Sequence, residues 1–294
     1  MLDGIINIKK EKGYTSHDVV AKLRGILRQK KIGHTGTLDP DATGVLPVCL
    51  GKATRLCDLL TDREKTYRAV LLLGRVTDTQ DISGKTLEEN PALVQPEEIY
   101  ACLRDFEGDS MQIPPMYSAC KVQGKRLYEL AREGIEVERR PRPVHIRQIT
   151  VQAMNLPRVS FEVTCSKGTY IRTLCHDIGR RLGCGGCMEE LTRTRSGMFA
   201  IDQALTLAQV EALRDEGRLD ACLVTIEQAL QNYPKAVCDA AEDRLLNNGN
   251  PLLLKACGLE GEGWVRVYDS QRVFKGIYQR RPGTGKYFPV KMFL

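Results

Sequence analysis

The chain has 294 residues, 42% of them hydrophobic, enough for one large domain or a large and a small one, and no apolar run approaches the ~20 residues of a membrane-spanning helix. Its 11 cysteines are scattered singly apart from Cys184 and Cys187, and Met1-Leu2-Asp3-Gly4 lacks the charged and apolar regions of a secretory signal, so reduced thiols and a cytoplasmic location are expected. The formal charge of +6 is mild but segregated: between Lys9 and Lys31 eight Lys or Arg face only Glu11 and Asp18, and from Lys121 to Arg147 eight face four Glu, a distribution that attracts a polyanion.

Ile5, Ile6 and Ile8 predict a short strand, followed by a helix starting at Ser16 with the apolar stripe Val19, Val20, Leu23, Ile26 and Leu27. The loop from His34 to Gly44 comes next. Pro40 biases Asp39 towards extended backbone, and Gly36 and Gly44 permit turn geometries closed to other residues, so the segment reads as a rigid mount for the Asp39 carboxylate, with His34 and Asp41 beside it. A turn aspartate is the other reading of Asp-Pro. Tyr67 to Leu73 has the aliphatic content of a buried strand, and Tyr67 is either a core aromatic or a stacking platform for a base. From Gln95 the signals return to helix, with Pro96 at its first position, Ile99, Leu103 and Phe106 on one face, and Gly108 as its cap. Tyr117, Lys121, Lys125, Arg126 and Tyr128 combine cations with aromatics, which suits an RNA strand or an amphipathic helix facing solvent.

Val159, Phe161, Val163 and Cys165 alternate as a half-buried strand, which Ser166-Lys167-Gly168 breaks. A helix beginning near Thr169 carries Ile171, Leu174, Ile178 and Leu182 on one face and is capped by Gly183. Arg172 sits in its first turn, where the macrodipole disfavours a cation by ~0.3–1 kcal/mol, so either a carboxylate compensates it or it reaches solvent. Thr206 and Gln209 form a capping-box pattern for a further helix that stops at Gly217. After Tyr233-Pro234, a helix signalled by Asp239 and Glu242 and short strands around Trp264 to Tyr268, Val273 to Tyr278 and Tyr287 to Phe293 form a small β-rich module, joined through residues 220–234. The single Cys184-Gly185-Gly186-Cys187 pair is weak support for a metal. Gly283-Thr284-Gly285-Lys286 lacks the spacing of a phosphate loop and reads as a hairpin turn, and His17, His145 and His176 have no spacing that suggests a shared metal.

Five segments together, GHTGTLDPDATGVLPVCLGKATR, KTYR, LGRVTDTQDISG, IPPMYSACKVQGKRLYELAREGIEVERR and CSKGTYIRTLCHDIGRRLG, resemble the TruB family of bacterial tRNA pseudouridine synthases. The match runs from about Gly4 to Ala204, and the tail is similar to the family's C-terminal module, related to the PUA RNA-binding domain. The resemblance implies an α+β catalytic domain over residues 1–228, built on a mixed, largely antiparallel central sheet flanked by helices, with an RNA-gripping insertion at about 110–147 and a PUA-like module at 233–294. It further implies isomerisation of uridine 55 in the tRNA T-loop, with the base flipped out and its glycosidic bond remade through C5. Neither cofactor nor metal is implied, nor a membrane or an obligate protein partner; the T-arm of tRNA is the partner and the chain a monomer. Asp39 matches the catalytic aspartate, Arg172 its ion-pair partner, and Tyr67 the tyrosine that stacks on the base and assists proton removal. His34, Tyr170 and Leu191 match substrate-contacting positions, and the cations Lys121, Lys125 and Arg126 are expected on the RNA path. One departure is Lys10-Glu11, where the family commonly has Lys-Pro. Two other outputs fit the same residues, a tRNA-folding chaperone and the catalytic subunit of an RNA-guided complex, although the Tyr117 to Arg140 stretch resembles the stand-alone bacterial enzymes more.

Overall fold

In the computed structural model residues 1–122, 124–253 and 263–294 are described, so 254–262 of the expected C-terminal module and residue 123 of the insertion lie outside it. Strands β1 (Gly4–Lys10), β2 (Ile32–His34), β3 (Thr43–Leu50) and β4 (Lys65–Leu73) are followed by a small ribbon of β5 (Arg75–Thr77) and β6 (Thr86–Glu89). Then come β7 (Gly108–Gln112), the short hairpin β8 (Lys121–Val122) and β9 (Lys125–Arg126), and β10 (Arg142–Asn155), β11 (Arg158–Cys165), β12 (Gly186–Ser196) and β13 (Phe199–Ala200). The main sheet runs β1-β3-β12-β4-β11-β10-β7, with β2 on β3 and β13 on β12. Every pairing in it is antiparallel except β3 with β12, so the sheet is mixed and largely antiparallel.

Helices α1 (Ser16–Leu27), α2 (Cys57–Thr61), α3 (Pro96–Asp105), α4 (Leu127–Arg132), α5 (Ile171–Arg181) and α6 (Leu207–Asp215) surround it. Leu71, Phe161 and Val163 pack against Leu174 and Ile178 of α5 and Ile99 and Leu103 of α3. A second core joins Ile6, Ile8, Leu46 and Val48 to Val19 and Leu23 of α1 and Val210 of α6. Each such fully buried aliphatic side chain contributes ~1.5–3 kcal/mol of transfer free energy. The loop that carries Asp39 lies where these two halves of the sheet meet, because β3 and β4 both border β12.

Several local expectations shift by a residue or two. The cap of α1 is Thr15, whose side chain and that of Asp18 form a capping box, while Ser16 is buried and its hydroxyl accepts the Leu38 amide N–H at 2.9 Å. Gly108 does not cap α3, which ends at Phe106; it opens β7 with φ +97°. The helix near Thr169 starts at Ile171, and Gly183 follows it with φ +75°. At the ends of the 110–147 stretch, Arg142 pairs with Gln112 across β10 and β7, so both residues belong to the main sheet. The Cys-Gly-Gly-Cys segment is a packing device: a Cβ on Gly179 of α5 would stand 2.2 Å from the Gly186 nitrogen, so glycines let α5 lie against the start of β12.

After α7 (Ile226–Ala229), the tail builds β14 (Lys235–Val237), α8 (Asp243–Asn247), β15 (Trp264–Tyr268), β16 (Phe274–Arg280) and β17 (Tyr287–Met292), a four-stranded sheet in sequence order. Ile277 and Phe293 pack with Ile5, Val45 and Cys49, which seats this sheet against β1 and β3 of the large one. The Gly283 to Lys286 segment is the turn between β16 and β17, as its spacing predicts. Among the described residues ten cysteines are free thiols, and no helix is long and apolar enough to cross a membrane.

Candidate active site

Asp39 is held on its loop from both sides. The Pro40 carbonyl accepts the Gly13 amide N–H at 2.9 Å, the Ala42 N–H donates to the Asp39 carbonyl at 3.1 Å, and Ser16 fixes Leu38. Gly44 has φ +104°, and a Cβ there would meet the Arg193 carbonyl oxygen at 2.2 Å, so this end of the loop lies directly on β12. Asp41 is exposed at the rim.

Arg172, 5% exposed, spans 133 residues of sequence to reach that carboxylate with a fork, Nε to Oδ2 at 3.0 Å and an Nη2 donor to Oδ1 at 3.3 Å. Its remaining donors are occupied by the Thr79 carbonyl at 3.2 Å and the Tyr117 carbonyl at 2.7 Å, with the Asp81 carboxylate 3.6 Å from Nη1. The cation that the helix dipole disfavours is thus compensated by two carboxylates and two backbone dipoles. Asp39 keeps 42% of its side chain open to solvent, yet protein crowds it elsewhere. That burial pushes its carboxyl above the ordinary range; Arg172 pulls it down, Asp81 pushes it up and Lys10 pulls it down.

Tyr67 on β4 lies across from Val163 of β11 and Arg193 of β12 and is buried. Burial pushes its hydroxyl up, against a hydrogen bond from the Arg193 guanidinium, so the ring is neutral at neutral pH. Leu191, beside Ala69, packs half-buried against the same cluster as Tyr67 and Leu38. His34 ends β2, half-buried, with its Nδ1 accepting the Gly36 N–H at 3.3 Å and its ring edge-on to His17 at 5.2 Å between centroids. Tyr170 immediately precedes α5, and its hydroxyl, pushed up to about 12 chiefly by burial, meets the Cys120 Sγ at 3.0 Å. Asp39, Arg172, Tyr67, Leu191 and Tyr170 therefore line one region. Lys121, Lys125 and Arg126 do not join it; they sit on the β8–β9 hairpin, with both lysines exposed. Tyr128 is covered by its own arginines, its ring 5.8 Å from Arg126 and 5.5 Å from Arg132, rather than standing free as a platform.

Three residues escaped the sequence reading. Asp81 completes the Arg172 clamp, and its other oxygen accepts the Thr79 hydroxyl at 2.8 Å and the Ser83 hydroxyl at 2.6 Å. The loop that presents it contains Gln80 at φ +63°, whose side chain accepts the Thr173 hydroxyl of α5 at 2.8 Å. Lys10 is 1% exposed and donates to the Tyr14 carbonyl at 2.5 Å and the Pro40 carbonyl at 2.9 Å, behind the Asp39 loop. It is therefore withdrawn from the basic surface counted above, and desolvation brings its ammonium down to about 8 while Asp39 and Asp41 oppose the change. Its signal was its phase, since Lys10 follows Ile6 and Ile8 on the inward face of β1. Arg193, also buried, donates from Nε to the Val45 carbonyl at 2.6 Å and binds the base of the loop at Gly36.

Residues 24–171 match the model of the TruB family pseudouridylate synthase N-terminal domain, and residues 172–231 that of the tRNA pseudouridylate synthase B C-terminal domain. The tRNA pseudouridine synthase B of Lachnoclostridium phytofermentans is 48% identical over the whole of both chains, and that of Clostridium tetani 49% identical over 95% of this chain and 96% of its own. Among solved structures, a chain of a Cbf5–Nop10–Gar1 complex aligns over 99% of this chain and 85% of its own, with a TM-score of 0.76 and 29% identity. A chain of an H/ACA ribonucleoprotein bound to a substrate RNA containing 2′-deoxyuridine aligns with a TM-score of 0.75 and 27% identity over the same shares.

Proposed function

The chain belongs to the TruB family and is a tRNA pseudouridine synthase, an isomerase, and from that premise we propose that it converts uridine 55 of the T-loop through the ionised carboxylate of Asp39. The observation that carries the reading is the two-pronged contact of Arg172 with Asp39. A carboxylate that adds to C1′ of the ribose, or removes the 2′ hydrogen to give a glycal, must be unprotonated, and burial works against that. Arg172 opposes that protonation, and its other contacts fix the guanidinium so that no reorganisation is needed when the glycosidic bond breaks.

In the folded T-loop the base is stacked, which encloses C5 and the sugar, so the nucleotide is everted towards Asp39. Tyr67 replaces the lost stacking from the β4 side and Leu191 packs from β12, while His34 and Tyr170 border the opening. Tyr67 assists removal of the C5 proton as a relay, its oxygen taking that proton as its own O–H proton passes to solvent, with the Arg193 guanidinium at the oxygen stabilising the charge that develops there. The exposed cations of the β8–β9 hairpin grip the phosphates outside the cleft, and the C-terminal sheet supplies a second RNA-binding surface. Likeness over nearly the full length to bacterial proteins named tRNA pseudouridine synthase B favours an enzyme that needs no guide RNA.

Incubation of the purified chain with an unmodified T-arm hairpin, followed by mass-spectrometric and chemical mapping, is expected to place one pseudouridine at the position equivalent to 55. Pseudouridine elsewhere in the hairpin, or product only after protein partners are added, contradicts the proposal.

A further inference from the structure

Arg172 can fork Asp39 only while the first turn of α5 is fixed, and that turn has no side-chain cap of its own. Its constraint comes from a segment far away in sequence. Gln112, the last residue of the edge strand β7, is buried, and its carboxamide embraces the backbone of Tyr170: Nε2 donates to the Tyr170 carbonyl at 3.1 Å and Oε1 accepts the Tyr170 N–H at 2.8 Å. The reciprocal pair admits one amide orientation, since a flipped amide sets donor against donor and acceptor against acceptor. Tyr170 lies two residues before Arg172. Eight residues beyond Gln112, Cys120 meets the Tyr170 hydroxyl, and between them the Tyr117 carbonyl takes an Nη2 donor of Arg172. The 112–120 segment thus touches the start of α5 three times before it enters the cationic hairpin at Lys121.

We propose that Gln112 is a positioning residue for the isomerisation: it anchors a strap, residues 112–120, that holds Arg172 in the orientation serving Asp39, so one segment sets both the RNA-gripping hairpin and the catalytic ion pair. The proposal rests on the roles given above to Asp39 and Arg172. The geometry separates it from simple scaffolding. A glutamine that only completed the edge of the sheet would affect stability, whereas one acting through the guanidinium affects the chemical step and loses its effect once the fork is gone.

The test uses the full chain as Gln112→Glu, which keeps the acceptor for the Tyr170 N–H but sets an oxygen against the Tyr170 carbonyl, and as Gln112→Met, which keeps the volume and removes both bonds. Single-turnover pseudouridine formation on the T-arm hairpin is expected to slow by at least ~10-fold in both, with hairpin Kd within about threefold of wild type. In the Arg172→Lys background the Gln112→Met change is expected to cost less than about threefold, because the geometry it protects is already lost. Wild-type rates in both Gln112 variants, or a loss that multiplies in full onto Arg172→Lys, overturn the proposal. Should Gln112→Met fail to fold, Gln112→Glu decides by the same two criteria. An inactive wild-type chain overturns the functional reading and the strap's role with it; an active wild type with indifferent Gln112 variants overturns only the latter.

Discussion

Arg172 and Lys125 carry the same charge under opposite physical conditions. Arg172 is buried, and carboxylates and carbonyls take up its donors; among the described residues Lys121 and Lys125 are exposed and form no ion pair. A buried, fully hydrogen-bonded cation is costly to desolvate and pays that cost back as fixed geometry. An exposed cation costs little and is screened within ~10 Å at ordinary salt, so it contributes affinity without precision. The cleft is accordingly expected to govern rate and the hairpin to govern binding.

The sharpest way to break that division is Arg172→Lys, which preserves the charge and removes the planar fork. Its single-turnover rate is expected to fall at least ~100-fold while hairpin affinity stays within a few-fold. Lost affinity with an intact rate would erase the distinction between the two regions. Asp81→Asn tests the other side of the clamp: with one charged contact to Arg172 weakened, by about 1.5 kcal/mol, the rate is expected to drop roughly tenfold, again without a matching change in Kd. A rate equal to wild type would remove Asp81 from the network.

At the hairpin the effect is smaller and of the opposite kind. Replacing Lys121, Lys125 and Arg126 together by Gln is expected to weaken tRNA binding and to flatten the slope of log K against log salt by about 2, leaving the rate at saturating tRNA unchanged. An unchanged slope would place these cations off the RNA path.

The smallest expected effect concerns stability and carries a definite sign. Because the Asp39 pKa is raised in the folded chain, the native state binds the extra proton between the ordinary carboxylate range and the raised value, so stability falls as pH rises through that window. Asp39→Asn is expected to lack this component and to melt no lower than wild type at neutral pH. A clearly lower Tm, with the same pH dependence as wild type, would show that the charge stabilises the fold.

Local patterns read well from the chain because they are set by neighbours in sequence. The alternation from Val159 to Cys165, the mount around Asp39 and the turn at Gly283 to Lys286 reappear in space, and of the two readings of Arg172 the carboxylate partner is the one observed. What was missed depends on contacts between distant segments. Asp81 lies in a loop whose direction is set by pairing to Met188, and Gln112 reads as an ordinary strand glutamine until Tyr170, 58 residues on, is brought against it. Lys10 was legible in principle, but its positive charge drew attention to surface attraction rather than to its inward phase on β1. The topology of the central sheet came from family likeness and not from periodicity, since the parallel β3–β12 pair joins strands more than 100 residues apart.

The central claim, that Asp39 performs the chemistry while the rest of the cleft places and charges it, is tested most directly by single-turnover assay of purified Asp39→Asn on the T-arm hairpin. The account predicts no detectable pseudouridine at an enzyme concentration that saturates binding, with a Kd within a few-fold of wild type. Product formed at the wild-type rate by that variant would contradict it.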